Sequence, residues 1–233
     1  MSIEADTASS FFGSTTTDEA SVVYTIATQP MLVCGVNYTS LESSALATNT
    51  VRWGTSDGGS TFTLSARSKN DLGLSSQITS EIWTLRSPAP GTTTVHVKWN
   101  SSAHSRAPRC FAMSVRNTSG VGASTGATGA SSTPSVALTL GEARSWLLAG
   151  WASCSGVPLS TVSGETLLAN TTGAPIAAGI GNISPATSGA ETFNMIGGIG
   201  AVPWSMAAIE LLAVLDPSPR QWRHAHGVGS VTP

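Results

Sequence analysis

The chain has 233 residues, a formal net charge of −2 and only 10% charged side chains, against the roughly 25% usual for soluble domains. That length allows one large β domain or two small ones. So sparse and slightly acidic a charge excludes nucleic acid as a partner, because such binders carry a basic footprint, and it suits a protein held in an assembly with much of its surface covered.

Residues 1–20 (MSIEADTASSFFGSTTTDEA) are polar and weakly patterned. They carry neither the basic nor the apolar region of a secretory signal. No segment approaches the ~20 apolar residues that span a bilayer. The expectation is a protein made in the cytoplasm with no membrane partner, beginning with an extended arm anchored by Phe11 and Phe12. Residues 22–27 (VVYTIA) and 31–38 (MLVCGVNY) read as strands around Gln29-Pro30. Residues 50–53 and 60–66 read as a hairpin joined by the turn cluster GTSDGG.

Residues 78–85 and 92–99 follow, split by Pro88-Ala89-Pro90-Gly91, which cannot continue a ladder. The second run alternates strictly. Val95, Val97 and Trp99 share one face, while Thr94, His96 and Lys98 share the other, the pattern of a half-buried strand. Residues 110–116 (CFAMSVR) are a further strand. Residues 120–132 (GVGASTGATGASS) are low in complexity and read as a flexible loop. Strands are expected at 135–140, 145–153, 166–169 and 192–196, with a second Gly-rich loop over 173–190.

Residues 204–215 (WSMAAIELLAVL) are apolar on both strand faces and would also suit a buried helix. A strand buried on both faces reads as such a run, and every preceding element is a strand. Pro217 and Pro219 then stop it, and Gln221-Trp222-Arg223-His224 forms an aromatic and basic tail. Short strands at even spacing with Gly, Pro, Asn and Asp turns give an all-β fold. We expect a single jelly-roll-like β-sandwich over 21–215, between an N-terminal arm (1–20) and a C-terminal arm (216–233).

The chemistry-bearing residues form no reactive constellation in sequence. Cys34, Cys110 and Cys154 are an odd set beside apolar runs, which reads as buried thiols. His224-Ala225-His226 lacks nearby metal ligands. Asp57-Gly58-Gly59 and Asn70-Asp71-Leu72-Gly73 have turn chemistry without the spaced acids of a calcium loop. No Gly-x-Ser-x-Gly elbow occurs, and Gly197-Gly198-Ile199-Gly200 lacks the Lys-Ser/Thr of a phosphate loop. A non-enzyme is expected, with no catalytic residue, metal or cofactor. Of seven Trp, six lie in expected strands, where packing explains them; a solvent-facing subset would stack on sugars. Trp222 needs a partner to be buried. Phe11, Phe12, Trp222, Arg223 and His224 are the expected partner-binding residues.

The order of pieces, from MLVCGVNY through VRWGTSDGGSTFTLSAR, EIWTLRSPAPGTTTVHVKW and CFAMSVRNTSGV to TPSVALTLGEARSWLLAGWAS, ETLLAN and WSMAAIELLAVL, resembles a β-sandwich domain of tailed-phage virion proteins and prophage-like bacterial surface proteins. The resemblance covers roughly residues 22–215. It implies a jelly-roll-like fold and a structural role in the virion, with no catalytic motif to carry over. Glu210 departs from it by placing a carboxylate in the closing strand, and the C-terminal arm extends past the usual end. The expectation is a capsid decoration (cement) protein that bridges capsomers, with the major capsid protein and itself, as a homotrimer, for partners. A tail or fibre component that binds host-surface glycan is the alternative. A surface domain of a prophage remnant is a third.

Overall fold

The computed structural model describes residues 2–13, 18–27, 31–40, 47–71, 77–100, 104–154, 160–171, 177–185, 187–196 and 201–214. All regular elements among them are strands, and every pairing is antiparallel. The first half of the chain supplies β1 (Glu4–Ala5), β2 (Ser9–Phe12), β3 (Glu19–Ile26), β4 (Met31–Ser40) and β5 (Thr48–Gly54). It continues with β6 (Ser60–Thr61), β7 (Thr63–Asp71), β8 (Gln77–Arg86), β9 (Gly91–Trp99) and β10 (His104–Arg116). The second half supplies β11 (Thr118–Ser131), β12 (Ser135–Leu140), β13 (Trp146–Ser153) and β14 (Ser160–Thr161). It ends with β15 (Glu165–Thr171), β16 (Ala177–Ile183), β17 (Gly189–Ile196) and β18 (Val202–Ala213).

The all-β sandwich expected from the alternation is present, and it is four sheets deep. The first half forms an outer sheet, β3-β9-β5-β6, and an inner sheet, β1-β10-β4-β8-β7, with β2 also on β10. The second half forms an inner sheet, β11-β18-β13-β16-β15, and an outer sheet, β12-β17-β14. Three apolar layers hold the stack. One, with Val95, Val97 and Trp99 in it, lies between the outer and inner sheets of the first half. Another, around Trp151 and Phe193, does the same in the second half. The third joins the two inner sheets through Phe111, Ile82, Leu148, Ile180 and Ile209.

Both inner sheets are therefore covered on two faces. That is why β13 and most of β4, β8 and β18 are buried at successive positions, as the apolar run in β18 requires. The outer strands bury only alternate residues, as in β3 and β12.

The two halves share one strand order. Placing β1 or β2 on β11, β3 on β12, β4 on β13, β5 on β14, β7 on β15, β8 on β16, β9 on β17 and β10 on β18 converts the strand order of each sheet into that of its counterpart, with the two-residue β6 left over. The pairing registers align Gly35 with Gly150, Ile82 with Ile180, Phe111 with Ala207 and Val95 with Phe193. Even the irregularity between Leu64 and Ala66 in β7 recurs between Leu167 and Ala169 in β15. On that alignment SVVYTI faces SVALTL, MLVCGV faces WLLAGW, and TLSAR faces TLLAN. The chain is a tandem of two like sandwiches stacked inner sheet to inner sheet.

Several expectations are corrected. Residues 120–132 are not a flexible loop: they lie in β11, paired along β18. Their small side chains serve close approach. A Cβ on Gly126 would stand 2.9 Å from Ser68 Cβ, and one on Gly129 2.7 Å from the Trp204 ring. The segment 173–190 likewise contains β16, where the Trp151 and Phe193 rings lie over Gly179 and Gly181. Residues 60–66 pair with β5 through Ser60 and Thr61, with one further bond from Phe62 N–H to Val51 O at 2.9 Å. Phe62 then plugs the core, and the chain crosses to the inner sheet as β7. Within residues 1–20, β1 and β2 dock on β10 of the same chain.

Candidate functional site

The expected partner-binding residues divide sharply. Phe11 and Phe12 are adjacent on β2, and a strand sends adjacent side chains to opposite faces. Phe11 enters the core of the first sandwich. Phe12 is 51% exposed, and the Arg109 guanidinium carbon sits 4.4 Å from its ring centroid, a cation–π geometry. Phe12 and Arg109 thus form one amphipathic patch at the edge of the first inner sheet. Trp222, Arg223 and His224, like His226, lie outside the described residues.

The six Trp in strands are all buried: Trp53, Trp83, Trp99, Trp146, Trp151 and Trp204. They are packing residues, as expected, and none presents a ring face for stacking on a sugar. Trp53 donates to Ala89 O, and Trp204 to Ser131 Oγ.

Two carboxylates, Glu81 and Glu210, are enclosed in the described core. Glu81 Oε1 accepts from Arg67 Nε at 2.8 Å and from Tyr38 OH at 3.1 Å, while Oε2 accepts from Trp83 Nε1 at 2.7 Å. Glu210, the departure noted in the closing strand, accepts three backbone N–H bonds, from Ala123, Gly141 and Glu142. It thereby ties β11 and the turn after β12 to β18. Gly122 is required beside it, since a Cβ there would overlap the carboxylate. Buried charge survives in a core when hydrogen bonds surround it in this way. Both carboxylates are committed to structure.

Titratable groups near Glu81 respond to it. Burial, then the Glu81 charge, pushes the Tyr38 hydroxyl and the Cys34 thiol well above their ordinary values. Burial does the same to Cys110. Neither thiol is poised to react, since reactivity needs the thiolate. Cys154, the third, is partly exposed.

At the surface, Asp57 accepts from Lys98 Nζ at 2.7 Å, and that bond holds its carboxyl below the usual range. Gly58 N–H bonds to Thr55 Oγ1 at 3.0 Å, so the turn is closed by its own chemistry. His96 Nδ1 meets Glu19 Oε1 at 2.5 Å across the outer sheet. No cluster of three or more His, Cys, Asp or Glu exists among the described residues. A groove of about 390 Å3, lined by Thr63, Ser65, Thr84, Leu85, Arg86 and Val121, runs along the join of the two halves.

Two residues that the sequence reading passed over matter to the patch. Asn37 is completely buried, and neither of its side-chain polar atoms has a partner; Arg109 Nε is buried and equally unpartnered. The available signal was parity. Asn37 falls on the same face of its strand as Val33 and Gly35, and so had to be enclosed. Compared with known proteins, the chain matches no family model, no curated protein and no solved structure.

Proposed function

We propose that this protein is a structural component of a tailed-phage virion, seated on the head as a decoration (cement) protein that bridges neighbouring capsomers. The observation that carries this reading is the duplicated architecture. Two sandwiches of one strand order lie back to back, so their outer sheets face opposite ways. A bridge needs a stiff body with two contact faces. The apolar layer between the inner sheets supplies the stiffness, because close-packed interiors deform little.

The outer faces suit coverage. On the outer face of β3 and β9, Val23, Thr25, Thr92 and Thr94 form an uncharged end, with Glu19, His96 and Lys98 toward the other end, so a neighbour would cover the uncharged end at low desolvation cost. Val23 is 66% exposed, and β3 ends its sheet. Self-association as a homotrimer belongs to the same reading, with closed symmetry covering such edges. Phe12 with Arg109, and the tail carrying Trp222, Arg223 and His224, are the proposed anchors on the major capsid protein.

The test is gold labelling of intact virions with antibody against this chain, followed by mixing purified chain with undecorated heads. Head labelling and saturable head binding, reduced by deletion of residues 217–233, are expected. Labelling confined to tail or fibres would replace the cement role with the glycan-binding alternative.

A further inference from the structure

Five residues stand side by side across the first inner sheet: Phe12, Arg109, Asn37, Ser80 and Ser68, each directly opposite the next. Opposed residues of antiparallel strands project to the same face. Phe111, Gly35, Ile82 and Ala66 form the row two residues away, and three of them lie in the layer between the inner sheets. The five-residue row therefore faces that same layer, and it is polar along most of its length.

One end of the row is satisfied. Ser68 Oγ donates to Ala127 O at 2.8 Å, and Ser80 Oγ lies 3.0 Å from Ser205 O and 2.8 Å from Ser205 Oγ. The other end is not. Both polar atoms of Asn37 and the Nε of Arg109 are enclosed without partners, and no carboxylate pairs with Arg109 among the described residues. In the second inner sheet, the equivalent row runs Thr128, Ser205, Ala152, Ala178 and Thr171. The two alanine side chains at the middle of that row, Ala152 and Ala178, offer no acceptor. Burial lowers the Arg109 pKa, which is the mark of a cation with nothing to offset its desolvation. Enclosed donors of this kind are rarely left unmet in a folded protein.

We infer that this end of the join holds a small monovalent anion, bound by Arg109 Nε–H and Asn37 Nδ2–H beneath the Phe12 ring. Asn37 Oδ1 accepts from a water that accompanies it. The site stabilises the join between the halves and does not depend on the capsid reading.

Bromide is the probe. Crystals of the full chain grown in sodium bromide should show an anomalous peak between Arg109 Nε and Asn37 Nδ2. In solution, bromide should raise the melting temperature saturably, by about 3 °C near tenfold saturation. Asn37→Leu keeps the space filled and should abolish the saturable rise, as should Arg109→Gln. A site occupied by water alone, with no anomalous signal, would overturn the assignment. So would the same bromide response in wild type and in a folded variant of either kind.

Discussion

Gly35 of the first half lies against Ile180 of the second: a Cβ on Gly35 would stand 3.7 Å from Ile180 Cδ1. The reciprocal contact is present, because a Cβ on Gly150 would stand 3.5 Å from Ile82 Cγ1. Gly35 and Gly150 are equivalent in the tandem, as are Ile82 and Ile180. Reciprocal contacts between equivalent positions define a two-fold interface, here formed within one chain. Gly35→Leu and Gly150→Leu should therefore each destabilise, by about 1–3 kcal/mol as overpacking does. Alanine at either site should cost less, since its methyl meets only ordinary contact distances. Urea denaturation of the four variants measures this, and strongly unequal costs for the two leucines would contradict the two-fold relation.

The enclosed carboxylates should behave as structural keystones. Glu81→Ala strands Arg67, the Tyr38 hydroxyl and the Trp83 indole N–H together. A loss of about 3–5 kcal/mol is expected, the range for breaking a buried charge pair from one side. Glu210→Ala removes the acceptor of three backbone N–H groups, each carrying its own desolvation penalty. Thermal unfolding by circular dichroism reads both, and near-wild-type melting for either would contradict the hydrogen-bond sets described above.

Phe11 and Phe12 should separate cleanly despite their adjacency. Phe11→Ala opens a cavity in the first core and should cost about 3–5 kcal/mol. Phe12→Ala should leave global stability within about 1 kcal/mol while weakening attachment to heads. Paired melting and head-binding measurements on the two variants distinguish the roles.

Stability should fall at alkaline pH. Cys34, Cys110 and Tyr38 all have pKa values raised by folding, and burial is the first cause in each. Below the ordinary thiol value of 9.0 both states keep these protons, so the folded state loses nothing there. Above it the unfolded chain releases protons that the folded chain retains, and stability declines as pH rises, by about 1.4 kcal/mol per pH unit for each group fully ionised only when unfolded. Tyr38 joins above its ordinary value of 10.0. Urea midpoints between neutral and strongly alkaline pH should show this slope, and Cys34→Ala should make it shallower. A flat profile would contradict the burial of these groups.

What the sequence alone determined is local. Alternation in residues 92–99 placed Val95, Val97 and Trp99 inward, and the uninterrupted apolar run of residues 204–215 required a strand covered on both sides. Both follow from the two-residue period of a strand, which needs no partner to be read. Tertiary structure decided what period cannot encode. Glycine and alanine in residues 120–132 look flexible in isolation, and only the Ser68 and Trp204 side chains pressed against Gly126 and Gly129 show that small size is the requirement. Trp side chains in alternating strands fit an exposed face as well as a core until a second sheet is placed over them. The tandem itself was latent in the pairs SVVYTI/SVALTL and MLVCGV/WLLAGW, but the loops between matching strands differ in length, and sheet register was needed to align them. The Arg109 and Asn37 constellation was invisible for the same reason: residues 72 positions apart in sequence become neighbours only when β10 pairs with β4.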